Sequence, residues 1–327
     1  MTSIKKFFQI ELRTWPQWWN SLKTHQRTFP AAFVVSYWSL LSVLNGLRAD
    51  HIKMGAAILA LSYLGKIANK FRTFALPFIV TGIVYDSQRF WAKYVRSAIR
   101  VSELYLLEKK WFGIQTATGL LTPNEYWQIH TYPFLDFITG VAYLTFFVIF
   151  ILQGAYYYFG IAPQGNSLYK PHELQGKASR MIWGFFLLNV MGFATYYVFP
   201  ASPPWYVSMY GLGPARVDSP SNPGGAARFD QLLGTTVFHD MYSKAADDLH
   251  GAMPSLHVAY PLMAALYSFQ FGKLRAFSVG FYILMCFSAI YLNHHYISDV
   301  VFGSLYAVTA VLILENFVAR YFPKNHT

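Results

Sequence analysis

Long apolar runs, separated by short polar stretches punctuated with Pro and Gly, set the pattern of this chain. A helix that crosses a bilayer needs about 20 mostly apolar residues. Eight segments approach that length: 30–47, 51–66, 71–88, 133–160, 178–200, 252–271, 274–292 and 297–322. The second is short and reads equally as a tilted or re-entrant piece. Ahead of them, residues 1–29 mix Lys5, Lys6 and Lys23 with Trp15, Trp18 and Trp19 around no apolar core. That pattern predicts an amphipathic segment lying at the cytosolic interface, not a cleavable signal. Residues 89–132 place Arg89, Lys93, Arg96 and Arg100 at helical intervals among Trp91, Tyr94, Val95 and Ile99, which predicts a basic amphipathic helix on the membrane surface. Residues 201–251 are rich in Pro, Gly and Ser, and a loop of that length is usually functional or disordered. Its aromatic content argues against disorder. With no repeat or linker visible, the expectation is an all-α polytopic membrane helix bundle: one interfacial segment, then a single membrane domain over 30–327.

Composition agrees. The chain is 54% hydrophobic and 19% aromatic but only 13% charged, about half the charged share of a soluble domain. The single cysteine, Cys286, lies in an apolar run and excludes a disulfide framework or a cysteine-based zinc site. The net charge of +11 is spread over short loops, so anionic lipid head groups, not nucleic acid, are the expected partner. With the N-terminus in the cytosol and all eight segments crossing, Lys and Arg favour the cytosolic side by 15 to 11. The short loop holding Lys273 and Arg275 points the same way.

Two polar clusters stand out because they sit where apolar segments begin or end. In the second, His294-His295-Tyr296-Ile297-Ser298-Asp299, His295 and Asp299 are four residues apart and share a helical face. A carboxylate beside an imidazole fixes its tautomer and leaves the other ring nitrogen free to attack phosphorus. His294 points elsewhere on that wheel and reads as a head-group or interface contact. In the first, Met253-Pro254-Ser255-Leu256-His257, Pro254 suits the opening turn of a helix, whose free N–H groups make an anion site. Ser255 adds a donor, and His257 is placed to protonate a leaving alkoxide and later to deprotonate an acceptor hydroxyl. One helical hairpin joins the two clusters and can bring them to the same membrane face.

Phosphate also needs cations. Arg228, in Pro223-Gly224-Gly225-Ala226-Ala227-Arg228-Phe229-Asp230, is the first candidate, with Asp230 expected to hold it; Arg216 and Lys244 are further candidates. Other readings remain open. His257, His295 and Asp299 could be metal ligands, although no other carboxylate stands beside these clusters. The spacing His294-His295-x-x-x-Asp299 also matches a soluble acyltransferase signature, which continues with Gly where this chain has Val300. A transporter would carry ionisable groups near the bilayer midplane; Asp136 and Glu315 are the nearest examples.

These strings together resemble the type 2 phosphatidic acid phosphatase (PAP2) superfamily and, within it, the inositol phosphorylceramide synthases of fungi and their relatives. The superfamily's PSGH stands here as Pro254-Ser255-Leu256-His257, and its SRxxxxxHxxxD as Ser288-Ala289, five residues, His295, three residues, Asp299. The synthase branch is matched by Phe199-Pro200-Ala201-Ser202-Pro203-Pro204-Trp205-Tyr206, by the segment around Arg228, by Tyr291-Leu292-Asn293-His294-His295-Tyr296 and by Ile129-His130-Thr131-Tyr132-Pro133. The hydrolase signature KxxxxxxRP is absent, Ala289 replaces an arginine and Leu256 replaces a glycine. The resemblance implies a six-helix core over about 133–322, with N-terminal and interfacial helices added, and a His257, His295 and Asp299 triad. It implies transfer of a phospho-head group, phosphoinositol from phosphatidylinositol first, onto ceramide through a phosphohistidine, with no metal or soluble cofactor. The alternative is a lipid phosphate phosphatase. Fungal enzymes of this branch work with an accessory membrane subunit, of which this chain gives no sign. The site is expected to face periplasm or lumen, with a bacterial inner membrane favoured over a Golgi membrane.

Overall fold

A computed structural model describes residues 2–160, 171–216, 219–243 and 250–318. The chain forms two compact units, Met1–Ile79 and Val80–Thr327. The first contains α1 (Thr2–Ser21), α2 (Thr24–Val43), α3 (Ala49–Tyr63) and the start of α4 (Lys66–Val95). The predicted interfacial segment is helical, but the chain breaks at Leu22 and Lys23, so its last residues already belong to α2. The tryptophans expected at an interface also serve to hold the unit together. Trp15 Nε1 donates to the Tyr63 carbonyl at 2.8 Å, and Trp19 meets the Tyr63 ring edge-on at 5.9 Å.

The surface helix predicted from residue 89 onward does not form separately. Arg89 simply continues α4, and beyond Val95 the chain runs extended. Ser97 N–H donates to the Tyr197 carbonyl and Arg100 N–H to the Pro200 carbonyl, both at 2.9 Å. The cause is visible in the aromatic partners. Trp91 packs on Tyr197 at 4.8 Å, while the guanidinium groups of Arg96 and Arg100 lie over the Tyr197 and Phe199 rings. Arg96 and Arg100 are turned onto protein rings, where cation–π attraction replaces lipid head groups.

After this come α5 (Ser102–Phe112), a hairpin of β1 (Ile114–Thr116) and β2 (Gly119–Leu121), and α6 (Pro123–Ile129). Helix α6 starts on a capping box in which Glu125 N–H donates to Thr122 Oγ1 (3.1 Å) and Thr122 N–H to Glu125 Oε2 (2.7 Å). Then follow α7 (Pro133–Tyr158), α8 (Pro171–Val198), α9 (Pro204–Tyr210), a 3₁₀ turn at Gly224–Ala226, α10 (Ala227–Leu233) and α11 (Val237–Ser243). The chain ends in α12 (Leu256–Phe271), α13 (Arg275–Tyr291) and α14 (Ile297–Ile313), the last running into a π-helical turn. The described part of the long Pro- and Gly-rich stretch thus holds several short helices.

Among the described residues, four helical spans are long and apolar enough to cross a membrane: Lys66–Trp91, Pro133–Tyr158, Leu174–Val198 and Ile297–Val318. Helices α12 and α13, at 16 and 17 residues, are shorter. At about 1.5 Å per residue they fall a few ångströms short of a ~30 Å hydrocarbon layer. Helix α12 is the centre of the second unit, packed on α7, α8, α13 and α14. Its Val258, Ala259, Met263 and Tyr267 are fully buried. Small residues permit this closeness: a Cβ at Gly303 would run into the Ser255 carbonyl oxygen. Gly303→Ala therefore has to displace backbone, at a cost of about 1–3 kcal/mol. Its melting midpoint in detergent should fall below wild type, whereas Gly280→Ala, whose Cβ meets nothing within 4 Å, should not. Equal midpoints for the two variants would refute the tight α12–α14 contact.

Both carboxylates weighed as transport relays are paired. Asp136 accepts from Arg228 Nε at 2.6 Å; Glu315 takes Arg180 Nε at 2.9 Å and the Tyr267 hydroxyl at 2.8 Å. They brace helices.

Candidate active site

Helix α12 leaves the site and α13 returns to it, so the N-terminus of α12 meets the turn 292–296 that opens α14. Asn293 turns the chain with φ +63°, a left-handed conformation that asparagine tolerates. The N–H groups of His294 and His295 then both donate to the Ala289 carbonyl, at 3.1 and 3.0 Å. Ala289, which stands where the superfamily has arginine, is fully buried with Val258 and Val300. That position holds packing here, not a phosphate cation.

The two clusters converge as expected. His257 Nδ1 lies 3.1 Å from His295 Nε2. His295 Nδ1 lies 2.9 Å from the Ala252 carbonyl and 3.6 Å from Asp299 Oδ2. A carbonyl oxygen only accepts, so Nδ1 carries the hydrogen and Nε2 presents its lone pair. The tautomer is therefore set first by a backbone carbonyl, with Asp299 adding charge. Asp299 is wholly buried, and its Oδ2 also accepts the Tyr296 N–H at 2.8 Å. Its Oδ1 has no hydrogen-bond partner.

Ser255 is the N-cap of α12, so the helix opens at Leu256, two residues after Pro254, which was expected in its first turn. Its N–H donates to the Asp299 carbonyl at 3.0 Å, and its buried hydroxyl has no partner. An unsatisfied buried donor beside free helix-end N–H groups is what an arriving phosphate oxygen would fill. Among the described residues, no group of three His, Cys, Asp or Glu is arranged to hold a metal ion.

The remaining candidates fare differently. His294 is not on α14 but in the turn before it, its ring between Tyr143 (5.0 Å) and Tyr242 (5.1 Å). Burial pushes its imidazole down to about 3, with His295 adding to the effect, so it is a neutral wall of the site near pH 7. Arg228 is held by Asp136, not Asp230. Its Nε goes to Asp136 (2.6 Å), one terminal nitrogen to Gln128 Oε1 (2.7 Å) and the other to the Tyr291 carbonyl (3.2 Å). Three of its donors thus brace the start of the 292–296 turn. Asp230 instead accepts the N–H groups of Phe238 (3.2 Å) and His239 (3.0 Å) in α11. Arg216 is exposed, its guanidinium 5.3 Å over the Tyr210 ring. Lys244 lies outside the described residues.

Three contributors escaped sequence reasoning. Tyr143, one aromatic among many in an apolar run, stacks on His257 at 4.3 Å as well as on His294. Asn124 in α6 donates through Nδ2 to the His295 carbonyl at 2.9 Å. Glu108 in α5 is wholly buried and accepts the Ile297 N–H at 2.8 Å, capping α14 from another helix. Burial pushes its carboxyl up to about 7, against the opposing pull of those backbone donors.

A helix bundle with two facing imidazoles and a carboxylate at one end defines a class of membrane enzyme. The chain belongs to the PAP2 superfamily, whose family profile matches residues 125–313. It is 35% identical to the phosphoinositol dihydroceramide synthase of Bacteroides thetaiotaomicron, over 86% of this chain and 92% of that one. It is 31% identical to the catalytic subunit of inositol phosphorylceramide synthase of Schizosaccharomyces pombe, over 80% of this chain and 57% of that one. The corresponding Saccharomyces cerevisiae subunit is 39% identical over 36% of this chain and 29% of its own. No solved structure gives a significant match.

Proposed function

We propose that this integral membrane enzyme moves phosphoinositol from phosphatidylinositol to a ceramide-type acceptor in two displacements. The observation that carries phosphoryl transfer is the 3.1 Å approach of His257 Nδ1 to His295 Nε2, with His295 Nδ1 tied to a carbonyl. The choice of lipids is supported by the relatives' names, above all the bacterial synthase matched over 92% of its length. His295 Nε2 attacks phosphorus and the bond to the diacylglycerol oxygen breaks. His257, entering as imidazolium beside the anionic diester, gives that oxygen its proton. The primary hydroxyl of ceramide then attacks the phosphohistidine, the P–N bond breaks, and neutral His257 takes the hydroxyl proton. Each imidazole returns to its starting state, and one hard displacement becomes two easier ones.

Asp299 offsets the positive charge on the loaded ring, and Ser255 with the α12 amides takes the equatorial oxygens. Both lipids reach a site at a helix end laterally. That end faces periplasm or lumen in this reading, and the lysine-bearing loop at Lys273 faces the cytosol. The bacterial relative's near-complete coverage favours a bacterial inner membrane.

The test uses purified protein with head-group-labelled phosphatidylinositol. Labelled phosphoinositol ceramide should form only when ceramide is present, one diacylglycerol per product. Release of inositol phosphate at the same rate without ceramide would make the enzyme a hydrolase and overturn the transfer reading.

A further inference from the structure

Two helices begin at the site, and their N-termini are treated oppositely. Helix α12 carries no side-chain cap, and the Ser255 hydroxyl beside its free N–H groups has no partner. Helix α14 is closed. Glu108, reaching over from α5, accepts the Ile297 N–H at 2.8 Å and the Ser298 N–H at 3.4 Å, the first two amides of that helix. A helix N-terminus draws anions, so a protein carboxylate sits where a phosphate oxygen would otherwise be attracted. The same two bonds fasten the helix that carries Asp299 and, through Tyr296, the turn that carries His295.

Capping alone does not explain a carboxylate. Glu108 is wholly buried, and the charge acting on it is Asp299, a second anion. The other titratable groups around it are the Tyr296 hydroxyl, Tyr105 and Lys109 on α5, and Glu125 on α6. Lys109 donates to the Tyr105 hydroxyl at 3.1 Å, and α9, which also packs on α5, has no charged side chain. Burial and Asp299 outweigh the two amides and hold the carboxyl up at about 7. An anion there lowers stability, and a neutral amide would take the Ile297 N–H without that penalty. The penalty is offset only where a positive charge appears. In the proposed reaction one does, because the His295 ring becomes cationic when Nε2 bonds phosphorus with Nδ1 still protonated.

We infer that Glu108 is a positioning residue for the transfer reaction: it closes the anion site of α14, leaving α12 for the phosphate, and its charge, acting through Asp299, favours the loaded His295 ring. The inference rests on His295 as the nucleophile of the proposed reaction. The full chain in detergent tests it with Glu108→Gln, which keeps an acceptor for Ile297 and removes the charge, and Glu108→Ala, which removes both. The rate followed is diacylglycerol release from phosphatidylinositol, which reports loading whether ceramide or water takes the phosphoryl group afterwards. At about pH 5.5 the wild-type acid is protonated, and Glu108→Gln should match its rate. By about pH 8 Glu108→Gln should be about tenfold slower in kcat, with KM unchanged. Stability should move the other way. A carboxyl raised by folding from 4.5 to about 7 gives up stability as pH rises through that window. The Glu108→Gln midpoint should therefore climb above wild type across it, while Glu108→Ala, without a cap, should lie below both at every pH.

A rate ratio that does not change with pH would reduce Glu108 to a structural cap and overturn the role of its charge. So would a Glu108→Gln protein that at about pH 8 loses midpoint together with rate, or fails to fold. A Glu108→Ala midpoint equal to wild type would overturn the closing of α14. A wild type that releases no diacylglycerol sinks the proposed reaction instead. The climbing midpoint of Glu108→Gln would then still mark a buried anion on α14, and a flat one would remove that as well.

Discussion

Replacing His295 with alanine should remove transfer altogether, by on the order of 10⁴-fold or more, because the substitution deletes the atom proposed to form the bond to phosphorus. Nothing nearby can take its place. His257 presents Nδ1 towards His295 and packs its ring face on Tyr143, and His294 is walled between two tyrosines. The loss should be in kcat, with the protein still inserted and folded, since the His295 backbone retains its hydrogen bonds to Ala289 and Asn124. A sharper measurement follows from the covalent step. Incubated with head-group-labelled phosphatidylinositol and no ceramide, the wild type should retain label that is lost in acid and stable in base, as a phosphoramidate is. His295→Ala should retain none. Near-normal transfer by this variant, or equal labelling of it, would show that the nucleophile lies elsewhere.

How much of this was legible beforehand differs by element. The convergence of His257, His295 and Asp299 was, because each of these residues interrupts an apolar run at a helix end, although α14 starts only at Ile297. The bundle was legible for the same reason: periodic apolar length needs no partner to be recognised. What was not legible depends on pairings across the chain. Arg228 carries the right chemistry for phosphate, but its guanidinium meets Asp136, 92 residues away, and no local pattern announces that. Glu108 reads as an ordinary charge on a surface helix until the N-terminus of α14, 189 residues later, arrives over it. The basic stretch beginning at Arg89 failed likewise, since its periodicity is genuine but its partners are Tyr197 and Phe199 rather than lipid. Local rules find groups that face water or lipid; they miss groups claimed by distant parts of the same chain.

His257→Ala should cost about 10²–10⁴-fold, the usual worth of a positioned acid–base group, and the pattern of the loss identifies its role. In the proposed first displacement His257 supplies a proton to a diacylglycerol oxygen that departs badly as an alkoxide. A donor with the same phosphoinositol group on a nitrophenyl leaving group needs no such proton. Loading of His295 from that donor should therefore recover most of its rate in His257→Ala, while His295→Ala stays inert with either donor. The second displacement does not recover, because ceramide's hydroxyl still lacks its base, so labelled phosphohistidine should accumulate in the variant and decay slowly when ceramide is added. Packing offers a competing account: truncation also removes a ring stacked at 4.3 Å on Tyr143 and 4.7 Å from Phe146. A packing defect would slow both donors alike and leave no accumulated intermediate. Leaving-group dependence thus separates proton transfer from a misplaced wall. If the nitrophenyl donor is no better than the natural lipid for His257→Ala, His257 is not the acid, and the 3.1 Å contact with His295 only positions the nucleophile.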